Sequence, residues 1–305
     1  MSERFVNWRI INRSELDEKR WSALLANSNF PYFQELWYLD TVFPDWQIVV
    51  VGDYQSVLPV FKSRKWGLKV QLTPLFYRAS EWMGEEQNVE DTLTFLNLSE
   101  HFIQFNLHTE FTDHSFEKRI FQVLDLKRNY EEIYKNYSTN QRRKLKDFAK
   151  SNALISETEN MALLLDIFRK EKGEEFKHLK DKDFQCLENL MKQAIANKQG
   201  FIKKIELNNE TIAAAAFVIS NGKLLYLKGI VNENGKKIGA MQALFDYVIQ
   251  EFAQKVDFLD FGGSSNEGLA TFNRKFGAVD NNYLILTRLP NNQPWKWLVK
   301  RKLKK

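Results

Sequence analysis

One cysteine, Cys186, stands in the whole chain, so no intramolecular disulfide can form and the fold must rest on its core. There is no CxxC pair, and the four histidines, His101, His108, His114 and His178, follow no metal-ligand spacing. The amino terminus, MSERFVNWRIINRSELDEKR, carries no apolar signal segment. No run reaches the ~18 apolar residues of a membrane span. These absences predict a protein of a reducing compartment, cytoplasmic, without a transmembrane segment or a structural metal.

What the chain has in quantity is aromatic surface. Of 305 residues, 24 are Phe, 10 Tyr and 8 Trp, enough to exclude a disordered chain. Such a set serves either an aromatic-rich core or the walls of an extended groove. Charge is mildly basic, 44 basic against 39 acidic residues and a net of +5, which favours a phosphate-rich ligand, nucleotide cofactor or RNA, without choosing between them. Part of the excess is local, in the tail PWKWLVKRKLKK.

Periodicity and turn signals predict an α/β (α+β) protein with mixed, mostly antiparallel sheets flanked by helices. In the first half, strands are expected at 8–11, 46–51, 57–63, 101–107 and 120–126, with a turn and a further strand within 65–76. Pro59 marks an edge or a bulge. Helices are expected from Ser14 to about Leu25, from Phe33 to Val42, and over 90–100. In the second half, strands are expected at 153–158, 201–207, 211–220, 223–230, 256–263 and 282–289. Helices are expected at Met161–Lys170, Asp183–Ala196 and Ala240–Ala253, with a helical turn in NEGLATFNRKFG. Asn221-Gly222 is a strong hairpin turn. On the helix from Ala240, Met241, Leu244, Phe245, Val248, Ile249 and Phe252 form one apolar stripe.

Each half runs strand, two helices, three antiparallel strands, helix, strand, helical turn, strand. The match in order predicts a duplication, with a first domain over 1–128 and a second over 129–305. The second opens with a linking helix that Ser138 and Gln141 cap. Arg142, Arg143, Lys144 and Lys146 give it a basic face, read either as a solvated side or as an anion or RNA contact.

Three segments of the second half carry candidate chemistry. In KGIVNENGKKIGAMQALFDYVI, a strand ends near Ile230, a loop holds Gly235, Lys236, Lys237 and Gly239, and a helix starts at Ala240. Backbone N–H groups at such a start face an anion. In DFGGSSNEGL, a strand ends at Gly262 and Gly263, and Ser264, Ser265 and Asn266 put small polar groups at its carboxyl end, where ligands of α/β sheets sit. Asn266 also reads as a plain N-cap. In TFNRKFGA, Arg274 and Lys275 stand in a helical turn before the last strand.

Together these segments resemble the GNAT superfamily, and within it the Fem-type peptidyltransferases and related acetyltransferase-like proteins, which have a duplicated GNAT fold. The resemblance implies a loop that cradles the pyrophosphate of coenzyme A, with Gly235, Lys237, Gly239 and Ala240 as its candidates; Ile230, Lys236, Asn266, Arg274 and Lys275, from the three segments themselves, complete the donor-binding candidates. It also implies an aromatic hydroxyl that protonates the leaving thiolate. Asn273 stands at that place, and an asparagine is no general acid at neutral pH. The catalytic candidates are Asp260, Glu267 and Glu233, as acceptors of the amine's proton, with Asn273. Asp260 reads equally as a hydrogen-bonded residue within the sheet.

The expected activity is N-acyl transfer, acetyl or aminoacyl, from acyl-CoA to an amine acceptor, without a metal. Two alternatives stay open. One is a Fem-like transferase of cell-envelope synthesis that takes aminoacyl-tRNA along the basic linking helix and tail. The other is an inert binding or scaffold protein, since fold alone does not guarantee chemistry.

Overall fold

The computed structural model describes residues 7–65, 68–85, 87, 91–92, 95–96, 102–108, 116–172, 179–262 and 266–288. The basic tail, Gly263, Ser264 and Ser265, and most of the helix expected over 90–100 lie outside the described residues. The chain forms two compact units. The first comprises Met1–Gln34, Phe43–Arg119 and Asn282–Lys305; the second comprises Glu35–Val42 and Ile120–Asn281. Each unit is a mixed, mostly antiparallel sheet system with flanking helices, as the periodicity predicts.

In the first unit, β1 (Trp8–Asn12), β2 (Gln47–Val51), β3 (Ser56–Val60) and β7 (Met83–Gly84) make one sheet in that order. β3 pairs with β7 only at Ser56 and Val57, and at Pro59, which has no N–H to give, the carbonyl accepts from the Ser80 hydroxyl at 2.9 Å. A second sheet runs β4 (Lys62–Lys65), β5 (Leu68–Leu72), β8 (Phe102–His108), with Leu284–Arg288 of β15 (Val279–Arg288) antiparallel to β8. The helix expected from Ser14 is split. Arg13–Glu15 is a 3-10 turn, and Asp17 caps α1 (Glu18–Leu25), accepting from the Lys19 and Arg20 N–H groups at 3.1 and 3.2 Å. The fully buried indoles of Trp21 and Trp46 meet edge to face at 5.2 Å. β6 (Ser80–Glu81) pairs parallel with β8, and its buried Glu81 accepts bonds from the Asn29 and Phe30 N–H groups and the Ser28 hydroxyl, so the carboxylate braces the turn at 28–30.

The helix expected over 33–42 is also two pieces, α2 (Pro31–Gln34) and α3 (Leu36–Val42). Glu35, between them, accepts from Gln199 Nε2 at 2.7 Å and from the Ser220 hydroxyl. A carboxylate with such fixed partners accounts for the break, and α3 belongs to the second unit.

In the second unit, β10 (Leu154–Thr158), β11 (Gly200–Leu207), β12 (Glu210–Ser220), β13 (Lys223–Val231), β14 (Phe258–Asp260) and β9 (Glu117–Asp125) form a sheet in that order. All its pairs are antiparallel except β13–β14. Asn221 and Gly222, both at positive φ (45° and 69°), make the expected hairpin between β12 and β13. The linking segment holds two helices, α4 (Tyr130–Lys135) and α5 (Thr139–Ala149), and Ser138 caps the second by accepting from the Gln141 N–H at 3.2 Å. α6 (Met161–Lys172) and α7 (Asp181–Ala196) follow β10.

The chain after β13 departs from expectation. The loop read over 232–239 is mostly a short helix, α8 (Glu233–Ile238), which Asn232 caps by accepting from the Gly235 N–H at 2.9 Å. α9 (Ala240–Phe252) begins at once. Its predicted stripe is the core-facing side: Met241, Leu244, Phe245, Val248 and Ile249 are buried, each worth about 1.5–3 kcal/mol against exposure. α10 (Glu267–Arg274) precedes β15.

Candidate functional site

The site starts where two strands part. β13 and β14 run parallel for three residue pairs only, Lys223↔Phe258 to Leu225↔Asp260. The β12–β13 register shifts opposite Ala216 and Phe217, which leaves Leu227 as an extra residue in β13, and such a bulge turns the strand. Beyond the last shared pair, a cavity of about 570 Å³ opens along Tyr226–Val231 of β13.

Its walls are aromatic. Phe245 of α9 contacts Tyr226 at 4.9 Å, Phe261 at 5.1 Å and Phe272 of α10 at 5.8 Å between ring centroids. Phe168 of α6 closes another side, with the Lys228 ammonium 4.2 Å from its ring centroid. The aromatic surplus therefore fills the cores and lines a pocket. Burial raises the Tyr226 hydroxyl well above the ordinary phenol range, so it stays protonated.

Polar groups gather at the start of α9. Gly239 has φ +77°, a conformation that favours glycine. A Cβ there would come within 3.0 Å of both the Cβ and the carbonyl oxygen of Lys144 in α5. Its N–H turns back to the Lys236 carbonyl and closes α8; the expectation that it faces phosphates gives way to the left-handed closure. The Ala243 N–H bonds to the Gly239 carbonyl at 3.0 Å. The N–H groups of Ala240, Met241 and Gln242 thus precede the helix's own ladder, no side chain caps them, and Met241 and Gln242 line the cavity. Lys236, ion-paired with Glu233, is on the same wall. Lys144 donates to the Lys237 carbonyl at 3.0 Å, which ties the basic helix to this junction.

Of the predicted residues, the cavity brings together Ile230, Lys236, Asn266 and Asn273. Asn266 also caps α10, accepting from the Gly268 and Leu269 N–H groups at 2.8 and 3.3 Å. The others do not line it. Gly235 spends its N–H on Asn232, and the Ala240 side chain lies in the core. Lys275 ends α10, its carbonyl accepting from the Ser138 N–H. Asp260 is fully buried and accepts from the Gly262 N–H at 2.9 Å. Glu267 is paired with Arg274 at 2.6 Å.

Asn273 is 6% exposed and donates through Nδ2 to Gln122 Oε1 at 3.0 Å. Gln122 in turn donates to Asp280, which Arg274 grips with two nitrogens at 3.0 and 2.8 Å. Sequence reasoning did not find Tyr226, Phe168, Gln122 or Asp280. Asn232 and Gly239 could have signalled α8 as its cap and stop. Nothing in sequence marks Gln122, which comes from a strand 151 residues away from Asn273.

Residues 135–270 match the family model "Acetyltransferase (GNAT) domain". Over that stretch the chain is similar to a GNAT domain. Among solved structures, FemX is similar over 96% of this chain and 100% of its own, at TM-score 0.65 and 12% identity. A tandem GNAT protein from the clavulanic acid biosynthesis pathway is similar over 94% and 100%, at 0.55 and 8%. The C-terminal domain of a putative lysylphosphatidylglycerol synthetase from Agrobacterium fabrum is similar over 94% and 95%, at 0.54 and 9%. At these identities the likeness is one of fold, shared with FemX and with a tandem GNAT protein. No curated protein matches the chain. The GNAT match supports an acyltransferase-type function. Among the described residues, no group of His, Cys, Asp or Glu is placed to hold a metal, and no helix is long and apolar enough to cross a membrane.

Proposed function

We propose that this GNAT domain transfers an acyl group from a coenzyme A thioester to an amine. The observation that carries this reading is the parting of β13 from β14 beside the uncapped start of α9. Phosphates would meet the N–H groups of Ala240, Met241 and Gln242 at the positive end of a helix dipole, with Lys236 and Lys237 adding charge. The thioester arm would run along Tyr226–Val231, and a backbone N–H near Ile230 would polarise its carbonyl. Asn273 supplies no proton at neutral pH. The Tyr226 hydroxyl, protonated on the same wall, would donate a hydrogen bond to the leaving sulfur. Asp260, Glu267 and Glu233 do not line the cavity, so the amine would lose its proton to water.

Aminoacyl-tRNA is the second reading. It is favoured by the packing of Lys144, on the basic helix, against Gly239 at the head of α9, with Arg143 and Lys146 exposed. Calorimetry at 50 and 200 mM salt separates the two. Coenzyme A should bind with affinity that falls about tenfold or less, whereas RNA held through 6–10 phosphates would lose about 10³–10⁵. Binding of aminoacyl-tRNA alone, with that steep loss, would overturn the coenzyme A reading; binding of neither would leave a scaffold protein.

A further inference from the structure

The cavity reaches both faces of the sheet. Along β12, Ala213, Ala215 and Phe217 belong to the core built with α9. Ala214 and Ala216 alternate with them and point the other way, to the side where α6 packs on β12 and β13. The pairing carries these faces over to β13. Tyr226 stands opposite Phe217 and Gly229 opposite Ala215, on the α9 face; Lys228 stands opposite Ala216 and Ile230 opposite Ala214, on the α6 face. The contacts agree: Tyr226 meets Phe245 of α9, and the Lys228 ammonium lies 4.2 Å from the Phe168 ring centroid. Residues of both faces line one cavity, because the last pair that β13 shares with β14 is Leu225↔Asp260.

The α6 face brings charge to the cavity. Lys228 is held over Phe168, and a ring face attracts an ammonium while leaving its charge intact. Among the described residues no Asp or Glu lines the cavity, and Lys236, on the α9 side, is ion-paired with Glu233. An anion that enters from the α6 face therefore meets a cation and no lining carboxylate. Lys228 and Ile230 are two residues apart on that face, about 7 Å along the strand. One small molecule can span from the Lys228 ammonium to a carbonyl held near Ile230.

We propose that the amine acceptor carries an anionic group close to its amine, a carboxylate or a phosphate, and that Lys228 binds that group from the α6 face. Phe168 is the positioning residue that holds the ammonium at the cavity. This rests on the acyl-transfer reading above, which places the donor on the α9 face. Lys228 then selects among amines by charge and leaves the donor's phosphates to α9.

The experiment titrates matched probes, without donor, into the labelled protein at fixed ionic strength and follows them by NMR: alanine against alaninamide, and O-phosphoethanolamine against ethanolamine. The native protein should bind one anionic probe about tenfold or more tighter than its neutral partner. Alanine wins if the group is a carboxylate, O-phosphoethanolamine if it is a phosphate. Lys228→Met should weaken the winning probe about tenfold and its neutral partner less than about twofold, and Lys228→Arg should restore most of the preference. Phe168→Leu should weaken that probe about threefold in the native background and less than about twofold in the Lys228→Met background. A native protein that prefers neither anionic probe, or a preference that survives Lys228→Met, would overturn the proposal. Equal effects of Phe168→Leu in both backgrounds would remove its positioning role. Calorimetry with coenzyme A separates this from the donor reading. No preference beside intact coenzyme A binding overturns the anion site alone; a preference that depends on Lys228 without coenzyme A binding leaves the anion site and overturns its acceptor role together with the donor reading.

Discussion

Replacing Gly239 with alanine separates two costs that the structure places on one residue, and Gly222 provides the control. Both glycines have positive φ, +77° and +69°, so alanine at either pays the left-handed penalty of about 1–2 kcal/mol. Around Gly222 there is no heavy atom within 4 Å of the added Cβ, and the cost stops there. At Gly239 the Cβ would meet Lys144 Cβ and the Lys144 carbonyl oxygen at 3.0 Å. These atoms belong to the body of α5 and cannot swing aside as a flexible side-chain tip would, so a further overpacking cost of about 1–3 kcal/mol applies. Gly239→Ala should therefore lose about 2–5 kcal/mol in all, against about 1–2 for Gly222→Ala. Urea denaturation of both variants, with unchanged slope of free energy on denaturant, measures the difference. Equal losses would refute the claim that the α8–α9 junction is clamped against α5. The same reasoning makes a bulky residue at 239 a poor probe of donor binding, because the fold would give way first.

Three further outcomes follow from the charged groups. Asp260→Asn should cost about 1–3 kcal/mol of stability in urea, because it keeps an acceptor for the Gly262 N–H but replaces the other carboxylate oxygen with a buried NH2, with turnover reduced less than tenfold; a larger fall in a folded variant would return Asp260 to the catalytic set. The Asp280 carboxyl is held below its usual range by Arg274 first and by Gln122. Its stabilising contribution is complete above the ordinary aspartate value of about 4 and disappears as pH falls through the lowered one, so Arg274→Ala should flatten the acid limb of stability against pH. An unchanged acid limb would count against that ion pair. Burial raises Asp246 while the Tyr130 hydroxyl, 2.9 Å away, opposes the rise. That contribution is complete below about pH 4 and declines as pH climbs through the raised value. Tyr130→Phe should raise Asp246 further and steepen the decline towards neutrality; identical pH–stability curves for the two proteins would remove the bond from the account.

The sequence by itself determined the order of elements and the core face of α9, because both depend on local period. The short strand-forming runs of β11–β13, bounded by polar turns, and the 3.6-residue stripe from Met241 to Ile249 are both read within a few residues of chain. The Asn221-Gly222 turn and the Ser138 cap were legible for the same reason, since each is a bond within a few residues. Helix ends were less so: Asp17 rather than Ser14 caps α1, and Glu35 breaks a helix because of Gln199 and Ser220, more than 160 residues on. The candidate site divides in the same way. Ile230, Lys236, Asn266 and Asn273 sit on segments whose turns and caps could be read, and they line the cavity. Asp260, Glu267 and Glu233 have the right chemistry in sequence, yet the fold gives them other partners. The parting of β13 and β14, the insertion of Phe168 from α6, and the chain from Arg274 through Asp280 and Gln122 to Asn273 come from pairings between distant strands and helices. No local signal encodes such a pairing; its energy appears only when the sheet has assembled and the buried amides must each find a partner.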